Sequence, residues 1–212
     1  MFKKFPYFCV MDEKLKTILE KTAEMFITLG IKSVSMDDIA AELSISKKTL
    51  YKYVSDKTDL VQKTFYYKFE NKKQEIVSMA EKSANAIEEV LMIFEMIVNM
   101  TKNFNPNLEH DLKKYYRPIS EKFINHRLEH TFTVTKRNLE RGISEGIYRK
   151  DIDAETIAKQ HALSLTGNFE KTSNLFKDFD CADAIRERIF YHLHAICNEN
   201  GLEILKNLTH KH

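Results

Sequence analysis

Apolar side chains recur at helical spacing through almost the whole chain, and the pattern predicts an all-α protein of about nine helices. Over residues 12–29 the stripe is Leu15, Ile18, Leu19, Thr22, Phe26 and Leu29, and Gly30 is placed for a left-handed C-terminal cap. Two short helices joined by a turn follow within 35–57. Ser35 can cap the first, and Asp37 and Asp38 stand in its opening turn, where the helix dipole favours negative charge. Ser35 and Asp38 also have capping-box spacing. Ile39, Ala40 and Leu43 make its buried face, Ser44-Ile45-Ser46 breaks the pattern, and Ser46 can cap a second helix whose Leu50 and Val54 turn inward. A long helix then runs over 57–82, with Phe65, Tyr66, Phe69 and Ile76 expected on its buried side. Residues 85–100 are apolar on too many faces for a surface helix, which makes them the expected centre of the C-terminal part. The stretch 103–107, with Pro106, ends that helix. Helices over 108–116, 118–142, 153–174 and 181–199 complete the expectation.

The second helix of the short pair has an outer face of Lys47, Lys48, Thr49, Tyr51, Lys52 and Tyr53, with no carboxylate before Asp56. Such a face suits a major groove, with lysines for phosphates and guanine edges, Thr for base contacts and Tyr hydroxyls for phosphate oxygens. Lys57, near the start of the next helix, can hold a phosphate together with the free helix N–H groups. The pair is a helix-turn-helix arrangement.

The run DIAAELSISKKTLYKYVSDKTDL resembles the N-terminal signature of the tetracycline-repressor (TetR) family, roughly I-A-x-x-A-G-V-S-x-x-T-[LI]-Y-x-[HY]-F-x-x-K-[ED]-x-L. Ile39, Ala40, Ser46, Thr49, Leu50, Tyr51, Tyr53, Lys57 and Leu60 match it. Leu43 and Ser44 stand where Ala-Gly is usual, Val54 where Phe is commonest and Thr58 where an acid is usual. The resemblance is specific over about residues 12–60 and architectural beyond, although GISEGIYRKDIDAETIA, with Gly142 and Gly146, looks like the family's link between its seventh and eighth helices. The opening residues 1–11 read as a loose arm, and the resemblance implies a three-helix helix-turn-helix DNA-binding domain over 12–58 and a larger helical effector-binding and dimerisation domain over 59–208.

The function the resemblance implies is that of a dimeric, ligand-responsive bacterial transcription regulator, most often a repressor, acting in the cytoplasm on a pseudo-palindromic double-stranded DNA operator. The expected DNA-binding residues are Ser35, Met36, Ser46, Lys47, Lys48, Thr49, Tyr51, Lys52, Tyr53 and Lys57. An apolar or aromatic effector is expected among Phe65, Tyr66, Phe69, Phe94, Met96, Met100, Phe104, Tyr115, Tyr116, Phe123 and Phe132, where unbranched Met side chains repack easily. The expected homodimer interface lies on the last two helices, at Ala158, His161, Ala162, Leu165, Ile185, Ile189, Leu193 and Ile196, with the alanines allowing close approach.

Composition narrows the alternatives. The chain has 212 residues and a net charge of +2, so affinity for a polyanion must come from a local patch, and 46–57 supplies four Lys against one Asp. Cys9, Cys181 and Cys197 are odd in number and far apart, as expected of free thiols in a reducing compartment. No run approaches the ~20 apolar residues that span a bilayer. His126 and His130 have i, i+4 spacing, but no HExxH surrounds them, and no Glu stands three residues before any of the histidines from His110 to His194. Phosphate-loop, dinucleotide and nucleophile-elbow motifs are absent too, so neither a metal, a cofactor nor an enzymatic activity is expected. Two rivals stay open: a helical interaction protein whose basic helix meets an acidic partner, and a cofactor-binding helical bundle enzyme.

Overall fold

The computed structural model describes residues 12–102, 105–166 and 181–209. These form ten α-helices and no strand: α1 (Glu13–Leu29), α2 (Met36–Glu42), α3 (Lys47–Leu50), α4 (Lys57–Lys82), α5 (Ala86–Lys102), α6 (Pro106–Tyr115), α7 (Arg117–Ser144), α8 (Ala154–Thr166), α9 (Cys181–Ile196) and α10 (Glu199–Thr209). The arm over residues 1–11, the end of the expected helix over 153–174, and Phe104 lie outside the described residues, as do the side chains of Leu165 and Cys181.

The chain folds as two compact units. Unit 1 is Met1–Lys72 with Asn105–Phe123, and unit 2 is Lys73–Phe104 with Ile124–His212. The expected division after residue 58 is not where the packing divides. The break falls inside α4 and inside α7, and α7 buries Ile119 in the unit 1 core and Leu139 in that of unit 2.

Unit 1 is built on α1, which Asp12 caps by accepting from the Lys14 N–H at 2.8 Å. Ile18, Leu19, Thr22 and Phe26 are buried as the stripe requires, but Leu29 is exposed, beyond the reach of the core. Gly30 has φ 84° with ψ 158°, so it is an extended, positive-φ stop rather than a left-handed cap. A Cβ there would also stand 3.3 Å from an Asp111 carboxylate oxygen. That carboxylate accepts from the Lys32 N–H at 2.7 Å, and Asn105 donates to the Thr28 carbonyl, so α6 is tied to the end of α1 and the loop before α2. On α4 the buried residues are Leu60, Val61, Thr64 and Tyr67, one position round from the expected Phe65, Tyr66 and Phe69, which are half-buried. Tyr67 wins the interior because its hydroxyl reaches Glu20 on α1 at 2.6 Å. α5 ends at Lys102, directly before the stretch 103–107, and Pro106 opens α6 in the first turn, where its missing N–H costs nothing.

Unit 2 packs around Ile87 and Phe94 of α5, Leu139 of α7, Tyr148, Ala158 of α8, and Ile189, Leu193 and Ile196 of α9, with α5 against α9 as the central pair. Tyr148 is fully buried, donating to Asn138, which in turn donates to the Ala86 carbonyl. Gly142 makes room for that ring, since a Cβ would lie 2.1 Å from it. Glu89 is also fully buried and is clamped by Arg137 and Arg141, the latter donating as well to Ser83 and the Ala80 carbonyl. The expected helix over 181–199 ends at Ile196. Asn198 then starts α10 by accepting from the Gly201 N–H, while its amide donates to the Gly146 carbonyl at 2.9 Å. Cys197 is buried beside it, with its thiol pushed up to about 11 by burial.

Candidate nucleic-acid interface and effector cavity

The helix-turn-helix is held by its caps. Ser35 and Asp38 form the full capping box: Asp38 N–H donates to the Ser35 hydroxyl, and Ser35 N–H donates back to the Asp38 carboxylate at 2.8 Å. The turn brings Ser44 to φ 52°, left-handed, where the family pattern has Gly. Ser46 then caps α3, accepting from Thr49 N–H at 3.0 Å and sharing a 2.8 Å hydrogen bond with the Thr49 hydroxyl. Leu50 and Val54 anchor the pair from behind, each buried to within a few per cent and worth about 1.5–3 kcal/mol.

The expected DNA-facing residues divide accordingly. Lys47, Lys48, Tyr51 and Lys52 are exposed on the α3 side, and Thr49, Tyr53 and Lys57 are half-buried. Met36 is a correction: it is only 8% exposed and packs in the unit 1 core, so it has no surface to offer DNA. Being apolar at the first position of α2, it was drawn to the core that Ile39 and Ala40 already define. Ser35 and Ser46 lie exposed with their hydroxyls engaged in capping. Lys47 is held by Asp37 at 2.9 Å, which raises its pKa, whereas neither Lys48 nor Lys52 is in an ion pair among the described residues. Burial lowers the Lys57 pKa, against the opposing pull of Asp111 and Asp38.

The expected pocket residues are spread over both units. Phe65 and Phe69 each meet Phe123 edge-to-face at 5.6 Å, and Tyr116 packs against the same unit 1 core. Tyr66 is half-buried, while Tyr115 is exposed and accepts from Lys32 at 3.2 Å. In unit 2, Phe132 and Met96 are half-buried and Met100 is exposed. The cavity lies elsewhere. A space of about 110 Å³ opens inside unit 2 between α4, α5, α7, α8 and α9, and of the expected pocket residues that are described only Phe94 lines it.

Its wall combines an apolar sector, including Ile76, Ile93, Phe94 and Ile97, with a polar one of Thr131, Thr135, Asn138, His161, Arg188 and His192. His161 and His192 face each other at 4.6 Å between ring centroids. Burial holds both neutral, His161 at about 3 with help from His192 and Arg188, and His192 at about 4 with help from Arg188. The polar sector was visible in principle: Thr131, Thr135 and Asn138 recur at i, i+4, i+7 on α7, and Arg188 and His192 at i, i+4 on α9, beside an apolar stripe.

The expected dimer residues are also corrected. Ala158, Ala162, Ile185, Ile189, Leu193 and Ile196 are all buried within one chain, and His161, Ile185 and Ile189 line the cavity. The most apolar stripe of a helix goes to its own core first. Among the described residues, the large apolar side chains that α8 and α9 leave exposed are Leu163, at 65%, and Tyr191, at 75%.

Residues 18–64, which contain this capped turn, match the sequence model of the bacterial regulatory proteins, tetR family. Over those residues the chain is similar to the tetR family. Over 102 residues, 48% of its length, it is 33% identical to an uncharacterized HTH-type transcriptional regulator, YvaF, of Bacillus subtilis (strain 168), and it spans about half (53%) of that relative. A transcriptional regulator from Cytophaga hutchinsonii ATCC 33406 shares the fold, with TM-score 0.70 and 17% identity over 88% of this chain and 100% of that one. So does a transcriptional regulator from Saccharomonospora viridis in complex with choline, with TM-score 0.59 and 20% identity over 88% and 99%. The tetR family and these relatives are regulators rather than enzymes. Among the described residues of this chain no cluster of His, Cys, Asp or Glu could hold a metal, and no helix is long and apolar enough to cross a membrane.

Proposed function

We propose that this protein is a sequence-specific DNA-binding transcription regulator of the tetR type, a repressor that works as a homodimer in the cytoplasm and is released by a small-molecule effector. The observation that carries the reading is the capped helix-turn-helix, which buries Leu50 and Val54 and leaves Lys48, Tyr51 and Lys52 on one exposed side. Lys47, Lys48 and Thr49 serve base edges, while Tyr51, Tyr53 and Lys57 serve phosphates. One such motif reads only a few base pairs, so two copies on a pseudo-palindrome are needed for a specific site. Leu163 and Tyr191 are the exposed apolar side chains of α8 and α9 that a second copy would cover.

The cavity supplies the effector site. The relative from Saccharomonospora viridis holds choline, which supports a small-molecule role for this fold. Helices α4 and α7 each carry unit 1 residues and, further along, cavity residues, Ile76 on α4 and Thr131 to Asn138 on α7. An effector that binds one setting of these helices more tightly shifts DNA affinity, and a tenfold change needs only about 1.4 kcal/mol of such preference. Selection from random duplexes with the purified full-length protein tests the reading. Recovery of one pseudo-palindromic motif, bound by two chains, is the expected result; recovery of no preferred sequence removes it.

A further inference from the structure

We propose that Lys32 and Lys114, gathered on the ring of Tyr115, form a further phosphate contact of unit 1, so that α6 as well as the helix-turn-helix meets the operator backbone. The proposal rests on the DNA-binding reading above and extends its surface to an element outside the helix-turn-helix.

The cluster is held by α6. Leu108, Leu112 and Tyr116 pack against the unit 1 core, which turns Asp111 and Tyr115, one helical turn apart, toward the loop before α2. Asp111 accepts from the Lys32 N–H at 2.7 Å and so fixes the backbone of that loop. The Lys32 ammonium then donates to the Tyr115 hydroxyl at 3.2 Å and lies 5.1 Å from the ring centre. Lys114 brings a second ammonium to 5.4 Å from the same centre. Both distances fall within the ~6 Å over which a cation is drawn to an aromatic face. Two like charges are thus collected on one exposed ring, and neither lysine is in an ion pair among the described residues. The hydrogen bond from Lys32, with the charges of Lys114 and Lys32 behind it, lowers the Tyr115 pKa, as a positive field does.

The chemistry suits anionic oxygens. Each ammonium has three donors and no acceptor, and the Tyr115 hydroxyl, which accepts from Lys32, keeps its own O–H to donate. The place of the cluster ties it to DNA. Lys32 stands three residues before Ser35, the N-cap of α2. Lys57, which serves a phosphate in the reading above, feels the charges of both Asp111 and Asp38, so it stands between α6 and the opening of α2. At the end of α6, Tyr116 feels Asp56, the residue directly before α4. The cluster therefore borders the opening of α4, and a strand with one phosphate on Lys57 carries its neighbouring phosphates past it. The nearby carboxylates are engaged: Asp111, only 7% exposed, is turned to the Lys32 N–H, Asp38 closes the capping box, and Glu109 is paired with Lys113. An acidic protein would find the same cations, but only the DNA backbone explains why they border Lys57.

The test uses the full chain and the duplex recovered by selection. In a salt series, Lys32→Gln with Lys114→Gln is expected to flatten log affinity against log salt by about 1.8 per recognition unit, two phosphates at about 0.9 each. The selected motif is expected to stay the same, because phosphate contacts carry no sequence information. Lys32→Arg with Lys114→Arg keeps both charges and is expected to keep the wild-type slope. Phosphate ethylation interference gives a second measurement that starts from the wild type: ethyl groups at the phosphates the cluster meets are expected to weaken the wild type and to leave the Gln pair unaffected. A Gln pair that keeps the wild-type slope, or the wild-type ethylation pattern, overturns the proposal and leaves the DNA-binding reading standing. A Gln pair that selects a different motif does the same, and so does an Arg pair that loses the slope. If the wild type selects no motif at all, the DNA-binding reading falls and takes the proposal with it.

Discussion

Replacing Lys48 and Lys52 together by alanine is the most direct probe of the proposed DNA surface. Both are exposed and outside any ion pair among the described residues, so their charges are available to phosphates without breaking a contact. Each lysine that neutralises a B-DNA phosphate adds about 0.9 to the steepness of log affinity against log salt. The double variant should therefore flatten the slope by about 1.8 per recognition unit, or about 3.6 for two units on one operator. Between about 50 and 200 mM salt that amounts to roughly a 12-fold change in affinity per unit. Lys47 should behave differently, because Asp37 holds it at 2.9 Å on the same surface. Asp37→Asn removes an acid facing the DNA and releases Lys47, so it should tighten binding a few-fold, the small size following from how weakly exposed pairs hold. Fluorescence anisotropy on a labelled operator, over a salt series, reads both effects, and circular dichroism melting confirms that each variant is folded. A double variant that melts normally and keeps the wild-type slope would refute the assignment of this face, as would weaker binding by Asp37→Asn.

Four further outcomes are expected. Ser44→Gly relieves a left-handed serine at φ 52° and should stabilise the protein by about 0.5–1 kcal/mol, seen as a rise of roughly 1–4 °C in Tm; a fall would mean that the hydroxyl matters more than the backbone. Glu89→Gln removes the charge facing Arg137 and Arg141 at a fully buried site and should cost about 3–5 kcal/mol in urea unfolding, with a change under 1 kcal/mol counting against the clamp. His161 and His192 have folded pKa values of about 3 and about 4, below the ordinary 6.5, so the unfolded chain takes up protons first and stability falls as pH drops from about 6.5 toward 4. By about pH 5 the loss is about 2 kcal/mol for each imidazole. Urea unfolding at two pH values shows it, and the double variant His161→Gln, His192→Gln should flatten the difference. Tyr191→Glu places a charge on an exposed apolar position and should shift sedimentation from dimer to monomer, whereas Ala158→Val, inside the core, should lower Tm; a dimer untouched by Tyr191→Glu would move the interface elsewhere.

The caps and inward face of the helix-turn-helix were legible because their determinants are local. A serine three residues before Asp38, a serine three before Thr49, and apolar residues at i, i+4 specify caps and an inward face whatever the rest of the molecule does. The helix over 57–82 and the role of α5 at the centre of unit 2 were legible for the same reason, since sustained periodicity needs no partner to be read. The tenth helix was missed although Asn198 and Gly201 signal it. Their meaning depends on the Gly146 carbonyl, which accepts from Asn198, and on the Ile147 carbonyl, which would lie 2.1 Å from any Cβ at Gly201; both lie more than fifty residues away.

By itself the sequence determined the helical class, the boundaries of most helices, and the helix-turn-helix with its exposed lysines, all consequences of contacts within a turn or two. It could not decide how apolar side chains would be shared among a core, a cavity and a subunit interface. Phe65, Phe69 and Phe123 close on one another in unit 1, while His161, Arg188 and His192, from two helices, meet around a space in unit 2. Ala158 and Ile189, for which a second chain was expected, are covered by their own chain instead. Burial has the same hydropathy signature whichever surface does the covering, so only the tertiary structure, which sets the neighbours, distinguishes the three.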